Sequence, residues 1–177
     1  MMELKDFFIP FTGIKLGKHE FGYQVDNAFF ESFEYQKFNA ASISVTAILE
    51  KMNNMMELDI EAQGTVNVDC DLTGESFDQP ISAKLHVVVK FGEEYNDEND
   101  EILIIPHGEH QINIAQYVYE MLVLAVPQKR VHPGVLDGTL KSEILDKLEE
   151  LQPKESKEQK EGTDPRWDDL KKLLTDK

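Results

Sequence analysis

Residues 81–91 read Ile-Ser-Ala-Lys-Leu-His-Val-Val-Val-Lys-Phe. Apolar side chains fall at Ile81, Ala83, Leu85, Val87, Val89 and Phe91, every second position over eleven residues. A period of two sends alternate side chains to opposite faces of a strand, one face toward a core and the other toward water. The same alternation runs through Ile43, Val45, Ala47 and Leu49, through Met56, Leu58 and Ile60, and through Val66, Val68, Cys70 and Leu72. Half-buried strands of this kind belong to antiparallel sheets. The intervening residues 51–55, 62–64 and 73–80 have the length of hairpin or meander turns.

Downstream, residues 92–101 (GEEYNDENDE) hold six acids and no base. They lack the spacing of a calcium loop and read as a solvated hairpin loop. Ile102–Ile105 then reads as a short buried strand ended by Pro106. Asn113 is placed to cap a helix, with Gln116 three residues on to reach back. Ile114, Val118, Met121, Leu122 and Ala125 share one face at helical spacing, and Pro127 stops the run. Upstream, residues 4–38 carry ten aromatics punctuated by Pro10, Gly13, Gly17 and Gly22. This stretch reads as short extended pieces and turns with a helical turn near residues 27–33. Its aromatics are better explained by packing against a sheet than by stacking on bases.

Strands followed by a helix predict an α+β fold: an antiparallel β-sheet of five to seven strands over residues 40–105, open or barrel-like, with one packed helix and C-terminal helices. The expected core is Leu58, Ile60, Val66, Val68, Leu85, Val87, Val89, Val118, Met121 and Leu122. Beyond an acidic α+β domain at 1–138, Leu140, Ile144, Leu148 and Leu151 form an apolar stripe on an amphipathic helix over 139–152. Residues 153–163 are polar and charged and read as a linker. Asp164 and Pro165 then open a short helix over 164–177, with Trp167, Leu170, Leu173 and Leu174 on one side.

The 177 residues carry 18 Lys and Arg against 34 Asp and Glu, a net charge of −16. Residues 141–177 are nearly balanced, with nine basic and eleven acidic residues, so residues 1–140 carry −14. Such charge disfavours unspecific contact with nucleic acid or anionic lipid. A single cysteine excludes a disulfide framework and fits a reducing compartment. No apolar run approaches the ~20 residues that span a bilayer. Met1–Pro10 shows no basic region followed by an apolar run, so a cytoplasmic location is expected.

Catalytic patterns are scarce. There is no G-x-S-x-G, no phosphate-binding glycine loop and no H-E-x-x-H. His107 and His110 lie in a turn region, and Cys70 lacks a C-x-x-C partner because position 73 is Thr73. No enzymatic activity, cofactor, metal or small-molecule substrate is therefore expected. One basic cluster stands in the acidic part: Lys129, Arg130 and His132, beyond the helix that ends near Pro127. Cations there suit the helix dipole, and they could also touch RNA phosphates.

Gly64–Asp71 (GTVNVDCD), the Ile112-Asn113-Ile114 entry, Tyr119–Pro127 (YEMLVLAVP) followed by His132-Pro133, and the closing DPRWDDLKKL of residues 164–173 occur here in one order. In that order they resemble the YceD family of bacterial and plastid proteins associated with accumulation of large-subunit (23S) ribosomal RNA. Many members carry Cys-x-x-Cys at the Cys70 position and a further cysteine after the His-containing stretch. Thr73 departs from that pattern, so the resemblance implies no metal here. It implies a non-enzymatic factor in ribosome large-subunit biogenesis whose partner is large-subunit ribosomal RNA or its precursor, met directly or through a basic ribosomal protein. The alternative is an acidic protein-interaction module that binds a basic ribosomal protein without touching RNA. The candidate contact residues are Lys129, Arg130, His132, Trp167 and Leu170.

Overall fold

A computed structural model describes residues 4–99 and 101–151; the expected linker at 153–163 and helix at 164–177, with Trp167 and Leu170, lie outside the described residues. The chain divides into two units at Lys141.

In the first unit the alternating stretches are strands. β3 (Ala40–Lys51), β4 (Met55–Asp69) and β5 (Ser76–Gly92) form an antiparallel meander whose register sets Leu49, Leu58 and Val87 in one row across the sheet. All three are fully buried, so the alternation reads out the core face directly. The fold is α+β with a mostly antiparallel sheet. Among the described residues the sheet is open and has six strands, in the order β2 (Gly17–Val25), β3, β4, β5, β7 (Ile102–Pro106), β6 (Asn96–Asn99), so the barrel-like variant is not adopted.

Several boundaries differ from the sequence reading. β2 (Gly17–Val25) extends the sheet on the side where residues 4–38 read as short pieces and turns. Its alternation of His19, Phe21, Tyr23 and Val25 is present but interrupted by glycines. Residues 62–64 are no turn: β4 runs straight through them, because Ala62 continues the buried series. Gly64 is required there, since a Cβ would stand 2.6 Å from the Ile43 Cα and closer still to the Ser42 carbonyl oxygen. The turn expected at 73–80 lies at residues 70–75, where Gly74 adopts a φ of +73°. Pro80 lies inside β5, which it can do because β7 pairs with β5 only from Val88 onward.

The acidic stretch is no simple hairpin loop. β6 (Asn96–Asn99) runs along the far side of β7 (Ile102–Pro106), and β7 returns parallel to β5. Leu85, expected in the core, is only half-buried, because it lies where no described strand covers that side of β5.

A second, two-stranded sheet joins β1 (Phe8–Pro10) to β8 (Gln111–Asn113). Helix α1 (Asn27–Glu31), capped by Asp26, brings Phe29 and Phe30 into the core. Phe7 stacks on Tyr23 at 4.9 Å, Phe29 meets Phe7, and Phe38 meets Phe30 edge-on, so these N-terminal aromatics are core. Lys51 ties the loop after β1 down, donating to the carbonyls of Phe11 and Ile14.

Helix α2 (Ala115–Ala125) packs against the core face of the sheet beside β5, burying Val118, Met121 and Leu122. Asn113 accepts a hydrogen bond from the Ala115 N–H, but Gln116 donates along the helix to Glu120 and does not reach back. Val126 leaves the helix in an extended conformation, as the residue before a proline must. A short α3 (Pro133–Leu136) follows. In the second unit, α4 (Glu143–Leu151) starts beside Ser142, with Ile144, Leu148 and Leu151 exposed along it. Leu140 precedes this helix; its N–H donates to the Gly134 carbonyl.

Candidate partner and RNA contact surface

The segment between α2 and α3 carries three of the five candidate contact residues, and the structure gives each a different task. Arg130 is fastened to the turn between β4 and β5. Its guanidinium donates to Asp71 at 2.8 Å, its backbone N–H donates to the other Asp71 oxygen at 2.7 Å, and the Asp71 N–H donates to the Arg130 carbonyl at 2.8 Å. The Arg130 N–H holds the Asp71 carboxyl below the usual carboxylate range against the opposing effect of burial, and the guanidinium and the Lys129 charge add to it. Much of the Arg130 charge is thus answered within the fold.

His132 acts as the cap of α3: its Nδ1 accepts from the Gly134 N–H at 2.9 Å, and its ring meets Phe77 edge-on at 5.4 Å. Its own N–H donates to the Cys70 sulfur at 3.3 Å. Burial raises the Cys70 thiol, but hydrogen bonds from the Thr73 hydroxyl and from the His132, Leu72 and Thr73 backbone outweigh it and bring it down to about 7. Thr73 therefore serves Cys70 as a hydrogen-bond partner at the position where the resemblance places a second cysteine. Lys129 is exposed and makes no ion pair among the described residues.

The fold adds neighbours that sequence reading had left out. Tyr119, on α2, stacks on Phe33 at 4.4 Å and meets Tyr35 edge-on. Lys37 sits over the Tyr35 ring at 5.9 Å. Burial and Tyr119 raise the Tyr35 hydroxyl, and the Arg130 guanidinium lies near enough to oppose them. Lys37, Tyr35, Tyr119 and Arg130 thus form one patch of cations and half-buried rings, and Lys129 precedes Arg130 in the chain. The Tyr-x-Lys spacing of Tyr35 and Lys37 was visible, but only the packing of the α1 exit against α2 brings it to Arg130.

The remaining histidines go elsewhere. His86 faces Asp59 at 2.7 Å, and His107 stacks on Phe91 at 5.9 Å. Among the described residues no group of three or more His, Cys, Asp or Glu is placed to hold a metal.

The solvated face of the sheet is acidic. Glu20, Glu50, Asp59, Glu61, Asp69 and Asp78 project from β2 to β5 on the side away from the core. Lys18 pairs with Glu50, Lys84 with Glu61 and His86 with Asp59, which leaves a net negative surface. No described helix is long and apolar enough to cross a membrane.

No curated protein and no solved structure matches the chain. The family model described as large ribosomal RNA subunit accumulation protein YceD matches residues 58–174, from near the start of β4 through α2 and α3 and on to residue 174. That is about two thirds of the chain, and it contains the whole Cys70–His132 junction; the chain belongs to the YceD family.

Proposed function

We propose that this protein is a non-catalytic, cytoplasmic factor that supports accumulation of 23S ribosomal RNA by engaging the assembling large subunit through a basic ribosomal protein. The observation that carries the functional class is the family match over residues 58–174. The route is supported by charge. Residues 1–140 carry −14, the solvated sheet face is acidic, and Arg130, the strongest candidate for phosphate contact, is bound to Asp71. Such a surface repels RNA at long range and attracts basic proteins.

Direct RNA contact is the second reading, favoured by the patch in which Lys37 sits over the Tyr35 ring and Tyr35 meets Tyr119, with the exposed Lys129 next to Arg130 in the chain. Two exposed lysines and one ring pair would give a weak contact that salt readily dissolves. Recovery of bound ribosomal material from cells, before and after ribonuclease treatment, separates the two routes. Retention of a ribosomal protein after digestion is the expected result. Loss of all ribosomal material would transfer the contact to RNA, and reversal of Lys37 and Lys129 to glutamate should then abolish it.

A further inference from the structure

We infer that α4 is one half of a helical hairpin whose other half is residues 164–177 of the same chain: the apolar stripe of Ile144, Leu148 and Leu151 is the docking face for Trp167, Leu170 and Leu174. This goes beyond the reading above, and it takes Trp167 and Leu170 out of the candidate contact surface.

α4 has nine residues and starts beside Ser142, whose hydroxyl accepts from the Ile144 N–H at 3.3 Å. Its three stripe residues are all exposed. A helix this short is marginal in water unless its apolar side is packed. Residues 164–177 lie outside the described residues, and their sequence supplies a second apolar stripe behind a capping Asp164 and Pro165. Twelve residues, 152–163, separate the two segments. A chain of that length readily crosses the ~8–10 Å between the axes of packed helices.

The occupant follows from spacing. Read forward, the α4 stripe steps by four and then by three: Ile144, Leu148, Leu151. Read backward, the other stripe takes the same steps: Leu174, Leu170, Trp167. Steps of four and three keep side chains on one seam of a helix, and the reversed order keeps two seams level when the helices run opposite ways. Ile144 then meets Leu174, Leu148 meets Leu170 and Leu151 meets Trp167, three layers in one register. A parallel arrangement levels only two, Ile144 with Leu170 and Leu148 with Leu174, and sets Leu151 against Lys177. The borders of the seam agree with the antiparallel register. Leu145 and Lys147 border the α4 stripe, and Lys171 and Leu173 border the other. Leu145 falls beside Lys171 and Lys147 beside Leu173, so lysine stems cover leucines and no like charges face across the seam. A second copy is the weaker occupant, because each α4 carries four acids to one lysine and each chain carries −16.

The test uses the full chain, in which Trp167 is the single tryptophan. Its fluorescence should be shielded from acrylamide, and Ile144→Lys or Leu148→Lys should abolish that shielding at unchanged melting temperature. Cross-linking checks the register, since the one native thiol, Cys70, is buried. Leu148→Cys combined with Leu170→Cys should close an intramolecular disulfide on mild oxidation. Ile144→Cys combined with Leu170→Cys, one turn out of register, should not. Trp167 open to acrylamide in the native chain, shielding that survives both lysine variants, equal cross-linking by the two pairs, or cross-links formed only between chains would each overturn the proposal. Shielding that appears only when purified large ribosomal subunits are added would overturn it as well, by giving the stripe to a partner.

Discussion

Gly64 sits where three strands run side by side, paired with Ile43 on one flank and Ile81 on the other. Because an added Cβ would meet backbone of β3 and no flexible side chain, Gly64→Ala should cost about 1–3 kcal/mol, read as a fall of several degrees in melting temperature. Asp71 is the second decisive residue. Its folded carboxyl lies below the ordinary value near ~3.9, so its contribution to stability is present above that pH and is lost as pH falls through the depressed folded value. Asp71→Asn should remove this acid-side dependence and speed amide exchange at Asp71 and Arg130, measured by NMR; unchanged exchange would contradict the lash described between them. His86 has the opposite sign. The Asp59 hydrogen bond raises it, so its small contribution is full below ~6.5 and fades as pH rises through the elevated value. At this scale the sequence located Lys129, Arg130 and His132 but not their tasks, because Asp71 and Arg130 lie 59 positions apart and no local pattern joins them.

Among elements, β3, β5 and the helix α2 were legible because each carries a long, clean period, two for the strands and 3.6 for the helix. β2 was obscured by Gly17 and Gly22, and the parallel return of β7 was invisible because strand order is not a local property. The reading of residues 62–64 as a turn failed for a physical reason: a glycine inside a strand marks close backbone approach as readily as a bend. Burial now ranks the truncations. Leu58→Ala, in the central strand and fully buried, should cost ~2–5 kcal/mol. Leu85→Ala should cost less, about 1–2 kcal/mol, since part of its surface is already in water beside the open edge. Chemical denaturation of both variants checks the order, and a larger loss at Leu85 would mean that something covers the β5 edge.

For the whole molecule, the composition already argued for a strongly acidic domain, and the distribution of that charge frames the proposed function. An acidic sheet face and a basic cluster partly neutralised by Asp71 are the surface features on which the proposed protein route rests. The family, by contrast, was legible only through several weak motifs in a fixed order, none of which names a chemical step. What the account claims above all is that this chain supports the large-subunit ribosomal RNA pool. The most direct test is the ratio of large- to small-subunit ribosomal RNA in cells depleted of the protein. The account predicts that the ratio falls on depletion and is restored by the full chain; an unchanged ratio would contradict it.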